Sequence, residues 1–396
     1  MLLAGTAIGA GMLGMPFVSG ICGYFPTICV MIICFLIMLA NLFLLLEATL
    51  YCSQPNVNII GMAREHLPPI WSAICWVTFM LLLYSIIASY MNAGGDLMSF
   101  FLSQSLQPIS KTQGILLFSS IFSLIVMMGA VFIDHINRIF MVLLLVTFFI
   151  VAISLNQLFE INHLMTQHHY EYIPYSLPII TAAFTSHLIL PSLKSYIPDL
   201  DALKKVLFYG SLIPLILYLI WQTTVLGIVE PKGPLSIFEI SKSAQPISQF
   251  FKILESKNAL ARTEVMTQLF FFSAIATSFL GVLMSLNDFL ADGLGLKQHK
   301  LSVRIRLILL ASIPPLIFTL YFNNAFTYAL NFAALFIAIL YAIIPSLVVI
   351  KCRHHQMTSP YTLPGGNMMV YIIFIFGCLF ALLSLLSVYD LLPHLS

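Results

Sequence analysis

Helix breakers crowd the first apolar segment of this chain, which reads Gly5-Thr-Ala-Ile-Gly9-Ala-Gly11-Met-Leu-Gly14-Met-Pro16. Glycine raises the entropic cost of a helix, and proline removes a backbone donor. Inside a bilayer every N–H and C=O must find a partner, so irregular backbone survives there only where protein covers it or a cavity admits water. If the segment spans a membrane, the break marks a candidate ligand site.

Composition supports that premise, because 60% of the 396 residues are apolar and 8% are charged, far from the balance of a soluble domain. Apolar runs long enough for a core of roughly 30 Å fall at 1–20, 21–50, 71–100, 114–133, 139–157, 174–193, 206–228, 265–290, 305–322, 325–350 and 368–390. The run Phe140-Met-Val-Leu-Leu-Leu-Val-Thr-Phe-Phe-Ile-Val-Ala-Ile153 lacks the in/out alternation of a barrel strand. The expected class is an all-α polytopic membrane protein with about eleven spans. No cleavable signal peptide is expected, since no basic region precedes the first apolar run. The seven cysteines form no CxxC pair, so neither a disulfide framework nor a metal site is expected.

Arg64, Arg138, Lys194, Lys204, Lys205, Lys297, Lys300, Arg304, Arg306, Lys351 and Arg353 fall in one set of alternate short loops, against Lys111 alone in the other. The positive-inside bias then places the N-terminus in the cytoplasm and the C-terminus outside. These topology-setting residues account for the net charge of +2 and leave no basic face for nucleic acid.

Gly11-Met-Leu-Gly-Met-Pro16 is echoed by Ser186-His-Leu-Ile-Leu-Pro191 in the sixth run, and the spans after each follow the same order. We expect two inverted units of five helices, residues 1–157 and 174–350, with 368–390 appended. Inverted repeats whose first helices are broken describe secondary transporters, with substrate held at the midplane. Gly9-Ala-Gly11-Met-Leu-Gly14 also fits GxGxxG, yet it lacks the strand, the soluble helix and the following acidic residue of a dinucleotide site. A small-residue packing face would explain Gly5 and Gly9; it would not explain Gly11, Gly14 and Pro16 together. The functional reading is an unwound stretch in which Gly9, Ala10 and Gly11 hold a substrate carboxylate through backbone N–H groups. Gly14 and Pro16 would shape the break, and Thr185, Ser186 and His187 would close the other side.

At these residues the chain resembles the bacterial tyrosine/tryptophan permeases, the hydroxy and aromatic amino acid permease family of the amino acid/polyamine/organocation superfamily. The resemblance continues through Leu44-Leu-Leu-Glu47, Asn137-Arg138-Ile-Phe140, Pro191-Ser-Leu-Lys-Ser-Tyr196, Ala276-Thr-Ser-Phe-Leu-Gly281, Asp288-Phe-Leu-Ala-Asp292 and Ile344-Pro-Ser346. It implies a leucine-transporter-like five-plus-five fold and uptake of tyrosine or tryptophan with a proton across the bacterial inner membrane, with no cofactor. Two departures stand out. The family carries about ten more residues before its first motif, so the true start is expected upstream of Met1. The sixth span reads Phe184-Thr185-Ser186-His187-Leu188, where the family has glycines on both sides of the equivalent aromatic–histidine pair; a serine/threonine or other neutral amino acid is therefore an alternative substrate. A ligand sensor, or a truncated and inactive paralogue, is the alternative of another class.

Ionisable groups within spans are costly and few. His187, beside the second break, suits proton coupling or substrate binding, or else is a neutral histidine satisfied by backbone. Asp96 is a second coupling candidate; Glu47 and Asp288, nearer the span ends, fit gating or structural roles. Thr277 and Ser278 match hydroxyls that ligate sodium in relatives of this fold, although such hydroxyls often bond their own helix. Tyr84, Tyr90 and Asn92 are candidates to line the cavity. No nucleophile–base set or phosphate loop suggests an enzyme, and oligomeric state is not encoded in these patterns.

Overall fold

The computed structural model describes residues 9–53, 57–105, 109–165, 169–243, 245–257, 261–296, 300–322, 325–389 and 391–393. Gly5 and the rest of the first eight residues lie outside them. Within the described residues all regular structure is helical, apart from an isolated bridge between Glu230 and Ser236. We name the principal helices α1 (Ala10–Ser19), α2 (Tyr24–Leu50), α3 (Ile59–His66), α4 (Pro69–Ser105), α5 (Lys111–Met127) and α6 (Ala130–Leu155). The second half of the chain supplies α7 (Ile173–Ala183), α8 (Leu190–Tyr196), α9 (Leu200–Ile228), α10 (Pro246–Ser256), α11 (Ala261–Gly293) and α12 (Leu301–Tyr321). It closes with α13 (Ala325–Ile337), a π-helical turn (Ala338–Ile343), α14 (Ile344–His354) and α15 (Gly366–Val388).

Eight stretches of described helix are long and apolar enough to cross a bilayer. The shorter α1 and α5 and the interrupted pair α7–α8 correspond to the remaining expected spans. Local chemistry sets the boundaries. Gly23 at φ 91° turns the chain between α1 and α2, and Gly129 at φ 98° separates α5 from α6, backbone that residues with a Cβ rarely adopt. Ser110 and Gln113 close a capping box on α5. Pro191 stands in the first turn of α8, where its missing N–H has no intrahelical role.

Packing is close along α4 and α5. A Cβ on Gly95 would come within 2.7 Å of the Ile115 backbone, and one on Gly114 would strike the Gly95 carbonyl. Helix α10 packs against α4 and α1, burying Ile247, Phe250, Phe251 and Leu254 along one face at helical spacing. Phe250 sits 5.6 Å from Phe17 of α1, and Phe251 stacks at 5.0 Å on Phe100 of α4. The N-terminus of α10 is held by Asp96 of α4, which accepts from the Ser248 amide at 3.3 Å and from the Ser248 hydroxyl.

At the other end lie Arg64, Lys194 and Arg353. Glu47 of α2 is fully buried there and receives two bonds from Arg353 of α14, Nε to Oε1 at 2.8 Å and Nη2 to Oε2 at 2.7 Å. It also accepts from the Leu363 amide at 2.7 Å and the Tyr51 hydroxyl at 3.1 Å. One carboxylate thereby ties α2 to α14 and to the connection before α15. Lys194 of α8 donates to the Thr49 carbonyl of α2 at 2.8 Å.

Candidate functional site

The first break is displaced from where the glycines and proline suggest. Helix α1 begins at Ala10, so Ala10, Gly11, Gly14 and Pro16 are all helical, and the departure from helix falls at Gly9, which is extended at φ −160° and ψ −154°. Gly11 and Gly14 are clearance rather than hinge: a Cβ on Gly11 would lie 3.2 Å from the Ala183 Cβ of α7, and one on Gly14 would lie 2.6 Å from the Phe326 ring of α13. Pro16 lies inside the helix. Thus Pro16 and Pro191 occupy different places in their segments, the latter opening α8.

This geometry exposes donors at the start of α1. The Gly9 carbonyl accepts from the amides of Met12 and Leu13 at 3.0 and 3.4 Å, while the Ala10 and Gly11 amides belong to the first turn, where no intrahelical acceptor exists. The positive end of the α1 dipole adds to their attraction for an anion.

Gly9 stands among side chains from two other helices. A Cβ there would meet the Tyr90 hydroxyl of α4 at 2.5 Å and the Ser278 Oγ of α11 at 2.8 Å. Ser278 and Tyr90 therefore face the α1 terminus. Thr277, its neighbour in the expected pair, bonds the carbonyls of Ser273 and Ala274 in its own helix at 2.9 and 3.2 Å. Tyr84 turns elsewhere, donating to the Leu310 carbonyl of α12 at 2.9 Å. Asn92 is buried on α4.

The second break brings the carbonyl end of α7 to the same level. Tight turns use the Thr181 and Ala182 carbonyls, which accept from the amides of Phe184 and Thr185 at 3.1 Å each. Tyr218 of α9 donates its hydroxyl to the Ala183 carbonyl at 2.9 Å. The chain then passes Thr185 and the buried Ser186 and enters a short 3-10 turn, His187–Ile189, before α8. A helix start whose first-turn amides have no intrahelical acceptor thus packs against the carbonyl end of another helix, as α1 and α7 touch at Gly11 and Ala183.

His187 is almost fully buried, and its ring stacks on Tyr341 with centroids 5.3 Å apart. The Met38 backbone runs alongside but outside hydrogen-bonding geometry, leaving both ring nitrogens without a partner; the Thr185 and Tyr341 hydroxyls are likewise unpartnered. Buried polar atoms are nearly always satisfied by protein or water. His187 and Tyr341 border a cavity of about 70 Å³ lined also by Leu45, Phe79, Pro191 and Phe289, large enough for water. Tyr341, which stacks on His187 and lines the same cavity, is a candidate residue that sequence reasoning missed. It is delivered by the π turn within the tenth span, which Pro345 follows directly in the first turn of α14.

Other expected residues lie apart. Asp96 is six residues beyond Tyr90 on α4, about 9 Å along the axis, and is engaged with Ser248. Glu47 belongs to the ion pair with Arg353, and Asp288 lies ten residues beyond Ser278 on α11. A wider cavity of about 480 Å³ opens at the end away from Glu47, lined by Gly20, Gly23, His169, Glu230 and Lys232 among others.

Comparison with known proteins follows the same lines. The profile of the tryptophan/tyrosine permease family matches residues 1–384. Tyrosine-specific transport system 1 of Haemophilus influenzae is 29% identical, covering 96% of this chain and 94% of that protein. The low affinity tryptophan permease of Escherichia coli strain K12 is 28% identical, covering 99% and 96%. Glutamine transporter 2 of Aliivibrio fischeri is also 28% identical, covering 96% of both. The crystal structure of MhsT in complex with L-phenylalanine shares the fold at a TM-score of 0.65, with 13% identity over 98% of this chain and 97% of that one.

Proposed function

Because the chain belongs to the tryptophan/tyrosine permease family, we propose that it imports an aromatic amino acid, tyrosine or tryptophan, together with a proton. The observation that carries this reading is the meeting of the α1 start with the α7 end, where Gly11 and Ala183 are in contact. The first-turn amides of Ala10 and Gly11 suit a carboxylate; the carbonyl end of α7 suits an ammonium group. An amino acid offers both charges on one carbon. Thr185, Ser186 and His187 would close the site, with Gly9 giving clearance beside Tyr90 and Ser278. The repeats would comprise residues 1–157 and 174–350, with 368–390 outside them, the basic end facing the cytoplasm and the C-terminus outside.

The test is uptake of labelled tyrosine and tryptophan into proteoliposomes, with pH and sodium gradients imposed separately. We expect uptake to follow an inward proton gradient and to be unaffected by sodium. A sodium requirement would instead assign Ser278 and Thr277 to coupling; absence of gradient-dependent uptake of any amino acid would leave only the sensor or inactive paralogue. A neutral, non-aromatic substrate is the second reading, favoured by Thr185 and Leu188 beside His187 and by the glutamine-transporting relative. Competition by glutamine, serine and threonine against labelled tyrosine separates the two.

His187 is the proposed coupling residue, with Asp96, Thr277 and Ser278 as the other candidates. His187→Gln keeps much of the side-chain volume and hydrogen-bonding capacity but cannot carry a proton at physiological pH. We expect it to retain substrate binding while losing the dependence of uptake on the proton gradient. An unchanged pH dependence would make the histidine structural.

A further inference from the structure

The absence of a CxxC pair argues against a metal site in the sequence, but the fold assembles donors that are distant along the chain. We propose that Cys52, Glu65 and His66 form a site for one thiophilic divalent cation of the Zn²⁺ class. Their ligand atoms, a thiol sulfur, a carboxylate oxygen and an imidazole nitrogen, all lie within 4.8 Å of one another.

Each donor is held by its surroundings. His66 is nine-tenths buried, and its Nε2 has no hydrogen-bond partner while lying 4.0 Å from Glu65 Oε1. Its Nδ1 faces the Cys352 sulfur of α14 at 3.5 Å. That contact steadies the ring from the side away from the cluster and leaves Nε2, which has no hydrogen-bond partner, turned towards Glu65. Glu65 Oε1 accepts from the Ser53 amide at 2.8 Å, which fixes the carboxylate beside the Cys52 backbone. The nearby Lys194 ammonium, within electrostatic reach of Cys52, is engaged by the Thr49 carbonyl.

The donor set selects the ion. Sulfur and imidazole nitrogen disfavour magnesium and calcium, which take oxygen ligands, and suit zinc. Zinc–ligand bonds of roughly 2.0–2.3 Å require the three atoms to draw in by about 1 Å at their widest separation. Rotation of the Cys52 side chain, with the exposed Glu65 carboxylate pivoting about its bond to the Ser53 amide, supplies that movement, and a water completes the tetrahedron. Binding converts the Cys52 thiol to a metal thiolate and releases its proton to solvent.

Occupancy would have a mechanical result. Cys52 follows α2, whereas Glu65 and His66 form the last turn of α3, and the neighbouring residues Thr49, Ile59, Ile60 and Met62 line the 70 Å³ cavity beneath His187. A bound cation cross-links α2 and α3 at that mouth and slows any opening there. The regulatory consequence rests on the transport reading above; the binding site does not.

The purified full-length protein in detergent is titrated with Zn²⁺ against a chromophoric chelator, and separately with Co²⁺ to read the near-ultraviolet thiolate-to-cobalt absorption. We expect one Zn²⁺ per chain and a cobalt–thiolate band that is lost in Cys52→Ser and kept in Cys29→Ser and Cys378→Ser. Glu65→Gln and His66→Gln should each weaken Zn²⁺ by at least about tenfold, the lower end of what loss of an outer-shell partner alone costs. Glu65 is partly exposed, so its variant tests the site even if Cys52→Ser fails to fold. Failure to bind Zn²⁺ stoichiometrically, a band that survives Cys52→Ser, or unchanged affinity in Glu65→Gln would each overturn the proposal. A protein that binds Zn²⁺ as described but takes up no amino acid would overturn the transport reading and leave the site standing.

Discussion

Replacing Gly9 with valine is expected to lower amino acid uptake by about ten- to a hundredfold, while leaving the amount of protein in the membrane unchanged. The backbone there is extended, at φ −160°, so a side chain adds no torsional strain; the cost is volume. A Cβ would stand 2.5 Å from the Tyr90 hydroxyl and 2.8 Å from the Ser278 Oγ, and valine adds two methyl groups beyond it. Overfilling a packed site costs about 1–3 kcal/mol, and each 1.4 kcal/mol is about tenfold in affinity. Because the crowding falls where the α1 amides begin, it would act on the proposed carboxylate site rather than unfold a helix. Initial rates of uptake, normalised to surface-labelled protein, measure the effect. Uptake close to that of the unmodified protein would remove Gly9 from the site.

Glu47→Gln is expected to destabilise the protein by about 3–5 kcal/mol, the usual cost of leaving one member of a buried ion pair uncompensated. Glutamine keeps the shape but offers a single neutral acceptor to Arg353, the Leu363 amide and the Tyr51 hydroxyl, all of which now converge on the carboxylate. Thermal unfolding of the purified protein in detergent should show a clear loss, with less protein recovered from membranes. The reversed pair, Glu47→Arg with Arg353→Glu, should recover part of that loss, since the attraction is restored although the Leu363 amide is not. By contrast, Asp201→Asn removes an exposed partner of Lys204 and should leave the unfolding temperature unchanged, as exposed pairs contribute little. Equal effects from Glu47→Gln and Asp201→Asn would refute the buried latch.

The helices and the interruption after Ala183 were legible because they rest on local causes: apolar length and a proline close to a break. What crosses the chain was not. Glu47 could be read as an awkward carboxylate near a span end, yet nothing near it in sequence announces Arg353, 306 positions away. Gly11 and Gly14 were misleading for a related reason. A glycine that loosens a helix and a glycine that lets two helices touch look the same in one dimension; only the positions of Ala183 and Phe326 separate them. The intrinsic cost of such a residue within a helix, about 1 kcal/mol, is offset by the packing it permits. Tyr341 was hidden differently: Pro345, just beyond the turn, cannot donate to the Tyr341 carbonyl and marks an irregularity there, yet a proline in a span does not announce a π turn or which side chain it delivers. Thr277 and Ser278 form a pair in sequence, but Thr277 bonds carbonyls of its own helix while Ser278 faces Gly9, and adjacency could not say which would do which.

The close contact of α4 with α5 bears on how genetic variation in this protein is to be interpreted. Gly95 and Gly114 leave no room for a methyl group, and neither belongs to the proposed substrate site. In a saturation screen selected for growth on an imported amino acid, both positions would be as intolerant as Gly9. Ranked by fitness alone, the three would form one class. A parallel score for abundance at the membrane would divide them: assembly fails at the first two, whereas Gly9 variants accumulate without transporting.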